Sequence, residues 1–600
     1  MSAQQVLAIE KVGVVPVYEL MQIAVAGAVL MGAVLITSVA VNSGRAQFVR
    51  RAADRLQSKT GIAGWAILPL AVMLPSLVLG TFGMMWDVAW HIERGRDNGL
   101  VSQPSHVLAI IGLYGAFVGA ALSLVLPGEK PSRYSVRIRP NLDVPLGGLI
   151  AFIAMSIVLL GFPLDDVWHR IYGLDVALWS PIHFVLLSGA IAAFFAMLIL
   201  LTEGEAALSP TGKPAIDPTP LVKWLRLFFC GALSLAIGVI LLSEWNVALP
   251  QADLIYDPLL MCGGVAPLVT ARLIGGRGGA IGAWLVAFAF GALLTFVVAG
   301  VLGHEMPRLP ILLGFAIGVE LAAAIFGTTS WYRFALSAGA LGGIVGIAVD
   351  FGWAHFYRPL AWPVHLLPKI ALYCLPVVLA AGVIGVFFGR ALQHDPIAAI
   401  RANVASAVVS LGLVGLIGAS LTGPEVLAGG GDLTVTDAST DARHAVTVTV
   451  RFNPANVTDN ADWLYAYAWQ GGGLVFSPLI KQDDGSWRTK KALPVDGKWK
   501  SMIRLAKDGT RNAIPVRMPA DEALGLAEIP AQSGERSFIG DVQFTQREKI
   551  PGVSASLVTA GTAVCVSIWV FLLAMLIWGL ARMARIQPET ASETSVSSPV

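Results

Sequence analysis

The sequence predicts a mostly α polytopic membrane protein of about thirteen transmembrane helices in repeated hairpins, carrying an extracytoplasmic β-sandwich. Three observations predict it. Of the 600 residues, 56% are hydrophobic and 13% charged, and the mean hydropathy is +0.70, a balance foreign to soluble globular chains. Apolar runs of about 19 residues or more, each long enough to cross a bilayer, recur along the chain. One polar stretch near the C-terminus instead alternates with the period of two that marks strands.

The spans fall at about 17–41, 63–90, 104–126, 145–163, 181–202, 222–243, 256–274, 279–302, 310–328, 332–351, 366–389, 402–421 and 554–582. The first has a signal-like Ser38-Val39-Ala40 sequence. Its leading segment, however, carries only Lys11 against Glu10 and Glu19, while Arg45, Arg50, Arg51, Arg55 and Lys59 follow it. That charge order predicts an uncleaved anchor with its N-terminus outside. Basic residues then mark every second connection: Lys130, Arg133, Arg137 and Arg139; Lys213 and Lys223; Arg272 and Arg277; Arg333; Arg390 and Arg401; Arg582 and Arg585. By the positive-inside rule these loops and the C-terminus face the cytoplasm of a multi-pass cell-membrane protein. Eight of the nine histidines then lie on the outer side, with His394 alone inside.

Within the polar stretch 424–553, His444–Phe452, Trp463–Trp469 and Trp499–Leu505 read as strands,. Gly471-Gly472-Gly473 and Asp483-Asp484-Gly485 read as turns between them,. About seven short strands fit a small sandwich outside the membrane. The expected organisation is an anchor and cytoplasmic loop (1–60), duplicated hairpins (61–205), further helices with degenerate repeats (206–423), the β-domain (424–553), a last helix (554–584) and a Ser/Thr/Glu-rich tail (585–600) read as disordered,.

The net charge of +2 is silent on nucleic acid, and with no basic cluster with interleaved aromatics to support one, no nucleic-acid partner is expected,. The lipid bilayer is the expected partner, with room for further membrane subunits or a homo-oligomer. Cys230, Cys262, Cys374 and Cys565 all lie in apolar runs and form no Cys-x-x-Cys pair, so they read as buried thiols,.

Chemistry concentrates where spans meet. Trp86-Asp87-Val88-Ala89-Trp90-His91 is followed, across a short polar loop, by Pro104-Ser105-His106. Asp87 and His91 are one helical turn apart on one face, and Pro104 suits the first turn of the return helix. A carboxylate and two imidazoles converging there are a plausible set of metal ligands. The pattern recurs as Leu164-Asp165-Asp166-Val167-Trp168-His169, then Ser180-Pro181-Ile182-His183, with Asp166 competing with Asp165 for the role. The spacings are Asp-x3-His-x14-His and Asp-x3-His-x13-His, with 78 residues between Asp87 and Asp165, as expected of a duplicated hairpin. A third copy keeps Glu244 and Asp257 but no histidine, and reads as a relic. The fourth offers Asp350, His355 and His365, with five rather than four residues from Asp350 to His355. His304, beside Glu305, and His444 read as surface groups.

Asp87-x-x-Trp90-His91, Arg96-Asp97 and Pro104-Ser105-His106 together resemble the copper-binding hairpin of the C subunit of particulate methane and ammonia monooxygenases. Asp165-x3-His169-x11-Pro181-x-His183 is similar to that subunit's second copper site, with Asp165 where the family has Asn. The resemblance covers about residues 60–205. It implies copper at Asp87, His91 and His106 and at Asp165, His169 and His183, with Arg96 and Asp97 orienting ligands and Trp90 and Trp168 forming a dry wall. It also implies dioxygen-dependent hydroxylation of a small apolar substrate or ammonia. Ligation needs neutral imidazole, so occupancy should fall as the pH drops through the histidine range. Three functions follow as expectations: a copper-dependent membrane monooxygenase or a component of one, a copper uptake or handling protein, or a non-catalytic scaffold whose Asp/His pairs are interhelical hydrogen bonds.

Overall fold

The computed structural model describes residues 17–95, 103–127, 131–140, 142–173, 180–210, 212, 214, 218–242, 256–305, 309–357, 361–393, 426–440, 443–545, 547–550 and 552–585. The expected span at 402–421, the tail from 587, and Arg96, Asp97, Glu244 and His394 lie outside these residues.

Helices build most of the chain: α1 (Val17–Asn42), α2 (Gln47–Thr60), α3 (Gly64–Arg94), α4 (Pro104–Val125), α5 (Leu146–Tyr172), α6 (Pro181–Leu208), α7 (Pro220–Leu242), α8 (Tyr256–Met261), α9 (Val265–Gly275), α10 (Gly279–Thr295), α11 (Leu313–Phe326), α12 (Trp331–Tyr357) and α13 (Leu367–Leu392). Within the C-terminal domain lies α14 (Asp541–Thr545), and after that domain comes α15 (Ala555–Arg585). Among the described residues, eight helices are long and apolar enough to cross a membrane, against the thirteen expected. Two expected spans fall short for physical reasons. Residues 256–274 break into α8, a 3-10 turn over Cys262–Gly264, and α9. With 14 residues, α11 rises only about 21 Å, less than a bilayer's hydrocarbon core.

Sequential helices pack as antiparallel hairpins: α3 on α4, α5 on α6, α11 on α12, with α15 against α5 and α6. The contact between α3 and α4 runs through glycine. A Cβ on Gly83 would lie 2.5 Å from the Ala109 amide nitrogen and 2.8 Å from the Ser105 carbonyl oxygen, so the two backbones touch there. At the end of the bundle away from the Asp/His motifs, buried carboxylates cap helix starts, whose amide groups lack partners within the helix. Glu203 accepts from the Leu146 and Gly147 amides at 3.1 and 2.7 Å. Glu320 accepts from the Ala280 amide at 2.9 Å and pairs with Arg272 at 3.0 Å.

Two short strands, β1 (Val136–Arg139) and β2 (Leu142–Val144), form a hairpin between α4 and α5. The C-terminal domain holds β3 (Gly430–Asp437), β4 (Ala445–Asn453), β5 (Trp463–Trp469), β6 (Leu474–Lys481), β7 (Trp487–Thr489), β8 (Leu493–Pro494), β9 (Lys500–Lys507), β10 (Thr510–Arg517), β11 (Gly534–Ser537) and β12 (Ile539–Gly540). It is not two separate sheets. One antiparallel ten-stranded sheet runs β11-β3-β4-β7-β6-β5-β9-β10-β12, with β8 on β4. The corner strand is β6, whose residues up to Pro478 pair with β5 while Leu479–Lys481 pair with β7. Its two ends are drawn together by Arg536 of β11, which donates to the Pro515 and Val516 carbonyls of β10. The result is a nearly closed, barrel-like domain around Val448, Val450, Ala466, Ala468, Ile503, Leu505 and Ile514.

The alternation seen in the sequence has a second consequence. Facing away from the barrel interior, Trp463, Tyr465, Tyr467 and Trp469 of β5 and Met502 of β9 belong to the same continuous core as the membrane helices. The β-domain therefore sits on the bundle with both faces of β5 buried, at the end that carries the Asp/His motifs.

Candidate metal centre

On α3 the sequence sets Gly83, Asp87 and His91 at four-residue steps, hence along one stripe of the helix,. Gly83 brings α4 close. Pro104 opens α4, and the next two residues meet Asp87: Ser105 Oγ donates to Asp87 Oδ1 at 2.9 Å, and His106 Nε2 lies 2.8 Å from the same oxygen. His91 Nε2 is 3.7 Å from it. The two imidazole rings lie 5.7 Å apart at 30°.

The second hairpin repeats this with Gly161, Asp165 and His169 on α5. His169 Nε2 is 3.4 Å from Asp165 Oδ2, and His183 Nε2 of α6 is 3.2 Å from Oδ1. Ser180 caps α6 by accepting from the His183 amide, which fixes the backbone that carries the imidazole. Where the first carboxylate gathers its partners on one oxygen, the second spreads the imidazoles over two.

In each site the three ligand-type atoms lie within 4.8 Å of one another. Ligands on one tetrahedral ion with bonds of about 2.0–2.2 Å stand roughly 3.3 Å apart. In the first site 2.8 and 3.7 Å to one oxygen bracket that spacing; in the second, 3.4 and 3.2 Å run to the two oxygens of Asp165, one of which would turn to face an ion. The donor set therefore fits a transition metal ion in both places.

Ring orientation agrees. His91 Nδ1 is 2.8 Å from the Gly95 carbonyl oxygen, and His169 Nδ1 is 3.4 Å from that of Gly173. A carbonyl only accepts, so Nδ1 is the donor in each contact and Nε2 is the ring nitrogen turned towards the aspartate. Both glycines close their helices with positive φ, +77° and +90°, where a side chain would be strained. Trp90 stands edge-on to His91, and Phe162 of α5 lies edge-on to His106. Trp168 is buried with Ile182, Val185 and Cys565, its ring against Tyr172.

The other candidates lie elsewhere. Asp166, about 100° around the helix from Asp165, pairs with Arg170 at 2.9 Å, which leaves Asp165 as the residue facing His169 and His183. The fourth copy does not assemble among the described residues. Asp350 is fully buried and accepts from Trp362 Nε1 at 3.2 Å. His355 Nδ1 lies 2.8 Å from the Phe351 carbonyl of its own helix, and His365 Nε2 pairs with Asp462 of the β-domain at 2.9 Å. The five-residue spacing is the reason: Ala354 occupies the position four beyond Asp350, and His355 is turned about 100° further round,.

His304 is not a surface group. It accepts from Trp86 Nε1 at 3.1 Å, and its Nδ1 lies 2.8 Å from Glu93 Oε2, while Glu93 Oε1 takes the Glu305 amide. This network holds the last turns of α3 from the side away from Asp87. No sequence spacing announces it, since Glu93 and His304 are 211 residues apart. Gly83 and Gly161, by contrast, are legible as Gly-x3-Asp-x3-His in both copies.

Among the described residues, the fold and site define a largely helical protein with eight helices suited to a bilayer and two matched Asp/His/His clusters beneath a barrel-like β-domain. No family model, curated protein or solved structure matches the chain.

Proposed function

We propose that this chain is a membrane metalloprotein that holds one transition metal ion in each hairpin, at Asp87, His91 and His106 and at Asp165, His169 and His183. The observation that carries this reading is the duplication of geometry as well as sequence: in both hairpins the Asp/His/His donors converge while a glycine carbonyl orients one imidazole. Copper is the ion that the likeness to the monooxygenase C subunit favours. On the same reading the chain crosses the cell membrane many times, with its N-terminus and residues 424–553 outside and its C-terminus in the cytoplasm.

Within this class, dioxygen-dependent hydroxylation of a small apolar substrate or ammonia is the activity we favour; bound copper would supply the redox chemistry. An apolar groove of about 400 Å³, lined by Ile157, Ala563, Val564, Ser567, Ile568 and Phe571, supports it. Ile157 lies two turns before Asp165 on α5, so the groove gives an apolar molecule a place beside the second hairpin.

Metal analysis of the purified full chain tests the reading. Two equivalents of copper are expected, falling to one in the His91→Ala/His106→Ala double variant. Metal content unchanged by that substitution removes the first site. Copper without an oxygen-dependent product from short alkanes or ammonia in intact membranes transfers the case to copper handling.

A further inference from the structure

The C-terminal ends of α3 and α5, which carry His91 and His169, are both held by the β-domain. At the first, the Gly472 amide donates to the Glu93 carbonyl at 2.9 Å. A Cβ on Gly95 would lie 3.4 Å from the carboxamide carbon of Gln470. At the second, Gly173 bridges antiparallel to Lys549, and the Ile550 amide donates to the Tyr172 carbonyl at 3.0 Å. A Cβ on Gly173 would collide with the Glu548 carbonyl oxygen. These are the two glycines whose carbonyls orient His91 and His169.

One buried cation joins the two contacts. Lys500 Nζ of β9 donates to Gln470 Oε1 and pairs with Glu548 Oε1 at 2.8 Å. Lys500, Gln470 and Glu548 are only 7, 2 and 7% exposed. Gln470 also adopts φ +62°, a strained conformation that persists only where its surroundings enforce it. Removing one partner from a buried ion pair leaves the other charge uncompensated, and the surrounding chain must move to solvate it. Here the chain that would move is the chain pressed on Gly95 and Gly173.

We propose that Lys500 is a positioning residue shared by both metal sites: through Gln470 and Glu548 it fixes the two glycine carbonyls that set the His91 and His169 rings. The inference rests on the metal reading above. It assigns the β-domain a part in both sites although it supplies no ligand.

The test uses full-length protein and Cu(II) alone, titrated and followed by electron paramagnetic resonance. The His106→Ala and His183→Ala backgrounds isolate the two sites. Lys500→Met is expected to weaken both sites, on the order of 10–100-fold as for other groups that orient ligands, and to shift both copper spectra. Lys500→Arg, which keeps the charge, should restore part of each. Arg504→Met is the control. Arg504 is as deeply buried on the same strand, but its partners Asp541 and Tyr465 lie within the β-domain, so both affinities should hold. Should Lys500→Met fail to fold, Gln470→Ala carries the test, with weakening confined to the first site. Affinities and spectra unchanged in Lys500→Met or Gln470→Ala, or lost equally in Arg504→Met, overturn the proposal. Two sites that bind copper but ignore Lys500 defeat this inference alone, whereas unsubstituted protein that binds no copper defeats the metal reading itself.

Discussion

Asp87 and Asp165 illustrate how little of a residue's role lies in its identity. Asp166, adjacent to Asp165, spends its charge on Arg170, and Asp350 is fully buried against a tryptophan indole. What separates them is angle and partner: Asp87 and Asp165 stand about 40° from the histidine four positions beyond and Asp350 about 140° from His355, whereas Asp166, about 60° from His169, is engaged by Arg170,. Outside the membrane segments the same principle governs Asp484. The hydroxyl and amide of Ser486 donate to its carboxylate, and Arg451 lies beside it, so its pKa is held below the ordinary carboxylate value. A depressed folded-state pKa contributes stability that is fully present above the unfolded value and lost as the pH falls through the folded one. Asp484→Asn should therefore lower the melting temperature of the β-domain slightly near pH 7. That gap should close once the pH falls below the carboxylate range. A gap that persists in acid would place the effect in packing instead.

At the scale of elements, the two hairpins are alike in pattern and unequal in tolerance. Gly83 faces the α4 backbone, whereas a Cβ on Gly161 would meet only the flexible end of Leu186, at 2.9 Å. Gly83→Ala should force α3 and α4 apart, costing about 1–3 kcal/mol as overpacking does, and remove metal from the first site. Gly161→Ala should leave the second site loaded, because Leu186 can turn aside. Metal stoichiometry of the two variants distinguishes them, and equal losses would count against the backbone-contact argument. This inequality marks the limit of what the sequence discloses. Spans, strands β4, β5 and β9, and both Asp/His/His sets follow from periodicity, which is local. The partners of Glu93 and the curling of one sheet into a barrel depend on contacts between distant segments. No spacing rule reaches them. His304 reads as a surface group in the sequence because Glu305 follows it, whereas its partner Glu93 lies 211 residues away on α3.

Across the whole molecule, charge and geometry can be set against each other directly. On the proposed topology residues 44–60 lie on the cytoplasmic side and the β-domain outside. The four native cysteines are buried, so an introduced thiol is read against a low background. Asp483→Cys should react with a membrane-impermeant maleimide on intact cells, and Arg51→Cys only after lysis; both positions are exposed. The reverse pattern would invert the topology and leave the two metal clusters facing the cytosol. The aromatic row on the outside of β5 adds a practical consequence. A fragment cut at the domain boundary and produced in water would present Trp463, Tyr465, Tyr467 and Trp469 to solvent, together with the buried Lys500 and Arg504 side chains. Such a surface favours self-association, so the excised domain would be a sticky particle rather than a faithful miniature, and its behaviour in isolation would say little about the intact protein.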